Sequence, residues 1–516
     1  MHLATSILAV TVVANYDCQV YGLKIQSKDR PLAGVADIDM NYEEEPTPVF
    51  TAAEYEISLV LPEPVAISNG GAETFYIAVP VGSYSASSLN IKLDASQGAA
   101  VVENAATIIT SRAVESETEI QTIKCTNLTE GGKYANTFVM PNRKGWYMFD
   151  ACAKGGYTVD EDGGALITDT AIAGTLFEVN SGMISKVNTC NGGKSVSFYY
   201  DGSVGNASIV TIDGGRVLWA WYLWCPGAGQ PEDIVIGSNT YFDRSLGALD
   251  VPTSKAEMEA MNDEQMLRSG GMLFQWGRPS PFPYAIHNTT EAYANRLGQA
   301  NANVPTFYYP SAGLITAGSY GAAATGGNAA KVYSTFRSEV SVLYTTNAAA
   351  TKQPLLIGYE KNENNKRRYC EVWSGNVKHQ DAPWNYSHEK NKQYDPCPYG
   401  YEVPETKLMT ADYNAFYSVN VATAHLVDQA AGVFRGGYYV EHNGKFLWHA
   451  VAGVRYGYGL WGHLSSPNAN IIGSTTDSND HIRMWWSHNS TGSTAANINN
   501  NNWAPSLAAP VRCIKK

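Results

Sequence analysis

The 516-residue chain has little charge: Asp, Glu, Lys and Arg make up 16% of it, against about a quarter in an average soluble protein. That shortage excludes a charge-solvated disordered tail and a coiled coil. Basic residues are the scarcer sign, 36 Lys and Arg against 48 Asp and Glu for a net charge of −12, which argues against nucleic acid as a partner because a polyphosphate binder needs a basic face. Beyond the N-terminal stretch no apolar run reaches the length of a membrane-spanning helix. Neither HExxH nor GxSxG occurs, nor a close carboxylate pair in a catalytic setting. The eight cysteines (18, 125, 152, 190, 225, 370, 397 and 513) form no CxxC or CxxH pair, so a zinc site would have to be gathered from distant segments. Their even count and wide spacing fit one or more disulfides in an oxidising compartment or, equally, buried free thiols.

What the chain does have is 44% hydrophobic residues, 47 Gly, 23 Pro, 32 Tyr, 14 Phe and 12 Trp. No Trp occurs in residues 1–140, and eight of the twelve lie beyond residue 270. Low charge with abundant Tyr, Trp, Asn, Gly and Ser points to a β-rich extracellular protein with long polar loops. The length accommodates two to four domains, each able to bury a core.

Leu3 to Ala14 is apolar, but it lacks the Lys/Arg flank of a signal peptide, and Leu8, Val10 and Val12 alternate as a strand would. The chain is expected to begin inside or just before its first domain. To about residue 123, short alternating runs such as Leu89-Asn-Ile-Lys-Leu93 recur between Gly/Pro turns, which predicts an antiparallel sandwich. Residues 124–230 repeat the style, and Val217–Trp224 is so continuously apolar that it should be covered on both faces. In residues 231–516, Ser254 and Glu257 make a capping box for a helix carrying Met258, Met261 and Leu267 and ended by Gly270-Gly271. Asn497 to Trp503 reads as ordered loop.

Several short patterns are weak. Asn191-Gly-Gly-Lys194-Ser195 lacks the spacing of a phosphate-binding loop and reads as a hairpin turn. Asp160-Glu161-Asp162 misses the EF-hand positions, leaving room only for a loose calcium site. Gln230-Pro231-Glu232 is like a sugar-selecting lectin tripeptide but sits at a domain junction. Nine of ten His follow residue 280, five of them at 442, 449, 463, 481 and 488, and hydrogen-bonded loop positions account for them better than a metal or catalytic role. Trp448, Trp461, Trp485, Trp486 and Trp503 among Asn and Ser could stack on sugar rings or could fill a strand-poor core.

Four motifs occur in order in the third region: Thr240-Tyr-Phe-Asp243-Arg244-Ser-Leu-Gly247-Ala248; Phe274-Gln-Trp276-Gly-Arg278 with Pro281-Phe-Pro283; Tyr394-Asp-Pro-Cys397-Pro398 with Gly400-Tyr-Glu-Val-Pro404; and Val511-Arg512-Cys513-Ile514. Together they resemble the Fibrobacter succinogenes major paralogous domain, which is related to C-type-lectin-like folds. The two preceding regions resemble the β-sandwich repeats of Bacteroidales fimbrillin-like proteins. Where the domain usually shows Trp-Ser-Ser, this chain has Leu460-Trp-Gly-His-Leu-Ser-Ser466.

The resemblance implies a mainly β multidomain chain: two antiparallel β-sandwich domains (1–123 and 124–230) followed by an α+β C-type-lectin-like domain (231–516). Asp243, Arg244, Trp276, Arg278 and Arg512 are then structural motif residues, with the charged ones in ion pairs, since buried charges persist only when partnered. Cys397 and Cys513 each lie in a motif of the domain, so a bond between them would close it. The implied function is a non-enzymatic adhesin or fimbrial subunit at the cell surface or outer membrane. Its partners would be other pilin subunits or a surface ligand such as a glycan, and strand addition is the implied route of assembly if the first strand is missing or donated. No cofactor is expected, calcium aside. The alternative is a glycan-binding surface lipoprotein for polysaccharide capture, and the less favoured one an enzyme on a lectin-like scaffold, for which Cys370 has no evident partner.

Overall fold

The computed structural model describes residues 5–281 and 394–516 with short interruptions, together with the strand pair Glu360–Lys361 and Arg367–Arg368. These residues are mainly β and mostly antiparallel. Among them, no helix is long and apolar enough to cross a membrane.

In the first region Thr5–Val13 is the middle strand of three, antiparallel to Ala72–Pro80 and parallel to Ser116–Gln121. A five-stranded sheet faces it, in the order Ile123–Lys124, Gly98–Ile109, Gly82–Ala95, Cys18–Ser27 and Glu56–Ile67. The period-two pattern explains the packing: Leu8, Val10 and Val12 from one sheet and Val20, Leu23, Ile25, Leu89, Ile91 and Leu93 from the other share one buried cluster. Residue Tyr21 interrupts the alternation. Val20 pairs with Ala95 and Gly22 with Asp94, so Tyr21 is the extra residue of a β-bulge. Only glycine fits beside it, because a Cβ on Gly22 would lie 2.4 Å from the Leu59 carbonyl oxygen.

The second region has two four-stranded sheets, Thr126–Asn127, Gly145–Asp150, Ser195–Tyr200, Ile184–Cys190 and Thr137–Val139, Arg216–Cys225, Gly205–Asp213, Ile172–Glu178. Their shared core includes Phe149, Phe198, Trp219, Trp221 and Leu223. Asn191-Gly192-Gly193 is indeed the hairpin turn joining Ile184–Cys190 to Ser195–Tyr200, with φ of 59°, 66° and 76°. The strand Arg216–Cys225 is covered on both faces. Trp219, Trp221 and Leu223 enter the region's own core, while Tyr222 and Trp224 on the other face meet Phe274 and Phe242 of the third region. Trp224 Nε1 also donates to the Ala248 carbonyl at 3.1 Å.

In the third region the expected single helix is two: α1 (Lys255–Ala260), capped by Ser254, and α2 (Asp263–Arg268). The break has a local cause. Asn262 and Gln265 cap each other reciprocally, Gln265 N–H to Asn262 Oδ1 at 2.9 Å and Asn262 N–H to Gln265 Oε1 at 3.0 Å, which starts a new helix where the first would have continued. The longest described helix, α3 (Thr406–Val419), follows Pro404 and buries Met409, Tyr413 and Phe416 at helical spacing. Asn497–Trp503 is a strand rather than a loop, held along its length by Ile482–His488. A partner ladder outweighs the low strand propensity of asparagine. Ile514–Lys515 lies between Asn239–Phe242 and Tyr401–Glu402, so one four-stranded sheet of the third region includes residues close to both of the region's ends.

Candidate functional site

Asp243 and Arg244 form a two-pronged ion pair, Nη2 to Oδ2 at 2.7 Å and Nε to Oδ1 at 2.8 Å. Arg244 Nη1 also donates to the Gly229 carbonyl at 2.9 Å, which ties down the entry to the region. Trp276 lies outside the described residues. Arg278 is fully buried behind the turn its N–H makes with the Gln275 carbonyl. Arg512, also buried, departs from the expected ion pair: it donates to the Trp448 carbonyl at 2.7 Å and its Nη1 lies 3.3 Å from His449 Nε2. A guanidinium has only donors, so the imidazole accepts there. Burial and the neighbouring Arg512 push the His449 pKa well below its ordinary value and keep the ring neutral. An oriented carbonyl and a neutral ring thus take the two Nη groups where a carboxylate was expected.

Cys397 and Cys513 are joined by a disulfide with Cα atoms 5.9 Å apart. Asp412, buried on α3, accepts from Ser238 N–H and Oγ at 3.0 Å each, from Asn239 Nδ2 at 2.7 Å and from Tyr241 OH at 2.7 Å. No sequence pattern had singled out Asp412. Its partners lie more than 170 positions away, so only the fold brings them together.

Of the five tryptophans considered for sugar stacking, Trp448 is a core residue. It is 1% exposed, packs on Met258 and Met266, and donates from Nε1 to Ser269 Oγ at 2.9 Å. Trp461 ends the strand Gly459–Trp461. Positions 485 and 486 lie on Ile482–His488, and position 503 pairs with Ile482. By strand parity, 486 and 503 belong to one face of that sheet and 485 to the other, so the backbone does not gather all three on one platform. Asp160, Glu161, Asp162 and Cys370 lie outside the described residues. Among the described residues no group of three or more His, Cys, Asp or Glu side chains is placed to hold a metal ion. Gln230 spends its amide on the Met140 and Gly227 carbonyls.

Two cavities sit where regions meet. One, of about 290 Å³, lies between the second and third regions and is lined by Tyr134, Gly155, Asp395, Tyr399, Tyr401 and Lys516 among others. The larger, about 610 Å³, opens between the first and second regions. Its first-region wall is Asp17, Cys18, Gln19, Tyr21, Ala66, Ile67, Ser68 and Ser96, and its second-region wall Asn127, Met148, Asp150 and Asn191. The Tyr21 ring lies against Gly192, where an added Cβ would come within 3.1 Å of it. Next to it the Asp94 carboxylate accepts the Gly192 N–H at 3.0 Å. Burial pushes the Asp94 pKa up to about 6, against the lowering effect of hydrogen bonds from the Gly192 and Asn191 backbone.

Comparison with known proteins gives no match: no family model, no curated protein and no solved structure matches the chain.

Proposed function

We propose that the chain is a non-enzymatic surface-recognition protein, an adhesin or accessory fimbrial subunit, in which two β-sandwich domains (1–123 and 124–230) act as a stalk for a lectin-like domain (231–516). The observation that carries the reading is the Cys397–Cys513 disulfide, because a bond closing a separation of 116 residues belongs to a protein that matures in an oxidising compartment. The continuous packing of Tyr222 and Trp224 onto the third region supports a stiff stack, as a presenting stalk requires. Thr5–Val13 is paired along one edge throughout and along the other from Leu8 to Val13, so strand addition over Leu8–Val13 would have to use another sheet edge. The test is a binding screen of the purified full chain against glycan arrays and immobilised extracellular-matrix and fimbrial proteins. Saturable binding to one of these without turnover is expected, and retention on none of them would overturn the reading.

A further inference from the structure

The larger cleft has the chemistry of a ligand site. Its volume of about 610 Å³ falls within the roughly 300–1,000 Å³ of small-molecule sites. Five of its polar side chains are already held by neighbours, and each hold leaves a defined atom for a ligand. Asn127 Oδ1 takes both the N–H of Thr129 at 2.9 Å and its hydroxyl at 2.7 Å, which leaves the Asn127 NH2 as a donor. Gln19 Oε1 takes the Tyr21 hydroxyl at 3.3 Å, with the same effect on the Gln19 NH2. Asp150 Oδ1 accepts from Ser195 Oγ at 2.8 Å and Asp17 Oδ1 from the Asn69 N–H at 2.8 Å, leaving Oδ2 of each as an acceptor. Asn191 Nδ2 donates to Ser195 Oγ at 3.3 Å, leaving its Oδ1.

The result is a wall of held donors and acceptors beside one aromatic ring. Hydroxyl groups, each both donor and acceptor, match such a wall, and the ring offers a flat apolar face to the C–H face of a pyranose. Among the described residues lining the cleft none is cationic and two are carboxylates, so a sialylated, sulfated or phosphorylated ligand would meet unfavourable charge. The bulge at Tyr21 adds to this. An extra residue in a strand re-aims its side chain, and such bulges concentrate beside functional sites.

We propose that this cleft binds a short neutral oligosaccharide and that the site is shared between the first two regions rather than housed in the tryptophan-rich third. The inference deepens the surface-recognition reading and rests on it. The experiment uses the intact protein on an array of neutral, sialylated and sulfated glycans, with Tyr21→Ala, Ser68→Trp and Trp485→Ala compared with the parent. Ser68 is exposed at the rim, so the tryptophan fills the cleft from outside the core, and matched thermal unfolding confirms that the variants fold. Expected are binding to neutral glycans, at least a tenfold loss in Tyr21→Ala, abolition in Ser68→Trp and no change in Trp485→Ala. Glycan binding that both cleft variants retain overturns the inference and leaves the surface-recognition reading standing. Binding confined to acidic glycans, or to proteins alone, does the same. Binding to no glycan and no protein overturns both.

Discussion

The Asp94 carboxylate accepts the backbone N–H of Gly192 at 3.0 Å, joining the first region to the tip of a second-region hairpin 98 positions away. The hairpin offers that N–H because three consecutive residues with positive φ turn its backbone outward.

Protonation of Asp94 should tune this junction. Its pKa rises from 3.8 to about 6 on folding, so the folded chain holds the proton more tightly than the unfolded one. The stability it contributes is therefore complete below about pH 4 and lost as pH rises through about 6. Asp94→Asn is expected to match the parent near pH 4 and to exceed it near pH 7.5, by on the order of 2 kcal/mol. Denaturant unfolding at the two pH values checks this, and a parent that gains on the variant as pH rises would refute it.

Reduction of the Cys397–Cys513 bond should loosen the third region. With 116 residues separating the cysteines, chain entropy alone assigns the bond about 4 to 5 kcal/mol. The double Cys→Ser variant should unfold at a clearly lower temperature than the oxidised parent and be insensitive to reductant. Non-reducing peptide mapping should recover the Cys397–Cys513 pair, with Cys18, Cys125, Cys190 and Cys225 alkylated only after denaturation, since all four are buried thiols.

Loss of Asp412 should detach α3 from the strand Asn239–Phe242. Asp412→Ala leaves the Tyr241 hydroxyl and the Ser238 N–H without their acceptor, and a cost of about 3 kcal/mol is expected because several hydrogen bonds to a charged group are lost together. Hydrogen exchange should show faster exchange in 406–419 than in the first region. Unchanged protection there would mean that the helix is held by its apolar face alone.

Trp448 separates packing from recognition. Trp448→Phe should cost about 1 kcal/mol through the lost bond to Ser269 Oγ, and Trp448→Ala about 3 to 5 kcal/mol through the cavity left against Met258 and Met266. Neither should change ligand affinity under conditions where the variant is folded. A binding defect without a stability defect would return Trp448 to the ligand-contacting set.

The sequence disclosed what repeats locally. Leu8, Val10 and Val12 announced a strand, the Asn-Gly-Gly run a hairpin, and Val217–Trp224 a strand buried on both faces, because period and turn chemistry act over a few residues. It misjudged places where neighbours decide. The reciprocal Asn262–Gln265 cap splits one apolar stripe into two helices, and the asparagines of 497–503 enter a sheet because Ile482–His488 supplies the ladder. The tryptophan gradient drew attention to the third region, yet Trp448 proved to be core. The cleft escaped notice altogether, since Tyr21, Ser96, Asp150 and Asn191 share no spacing and meet only when two regions dock.

The strand Ile514–Lys515 sits inside its sheet, and Cys513 beside it holds one half of the disulfide. A chain delivered N-terminus first, by ribosome or by secretion channel, can therefore complete its first region once residue 124 has emerged but cannot close the third until residue 515 arrives. The third region would travel open, its thiol at 397 waiting for its partner, and locking would come at the end of delivery.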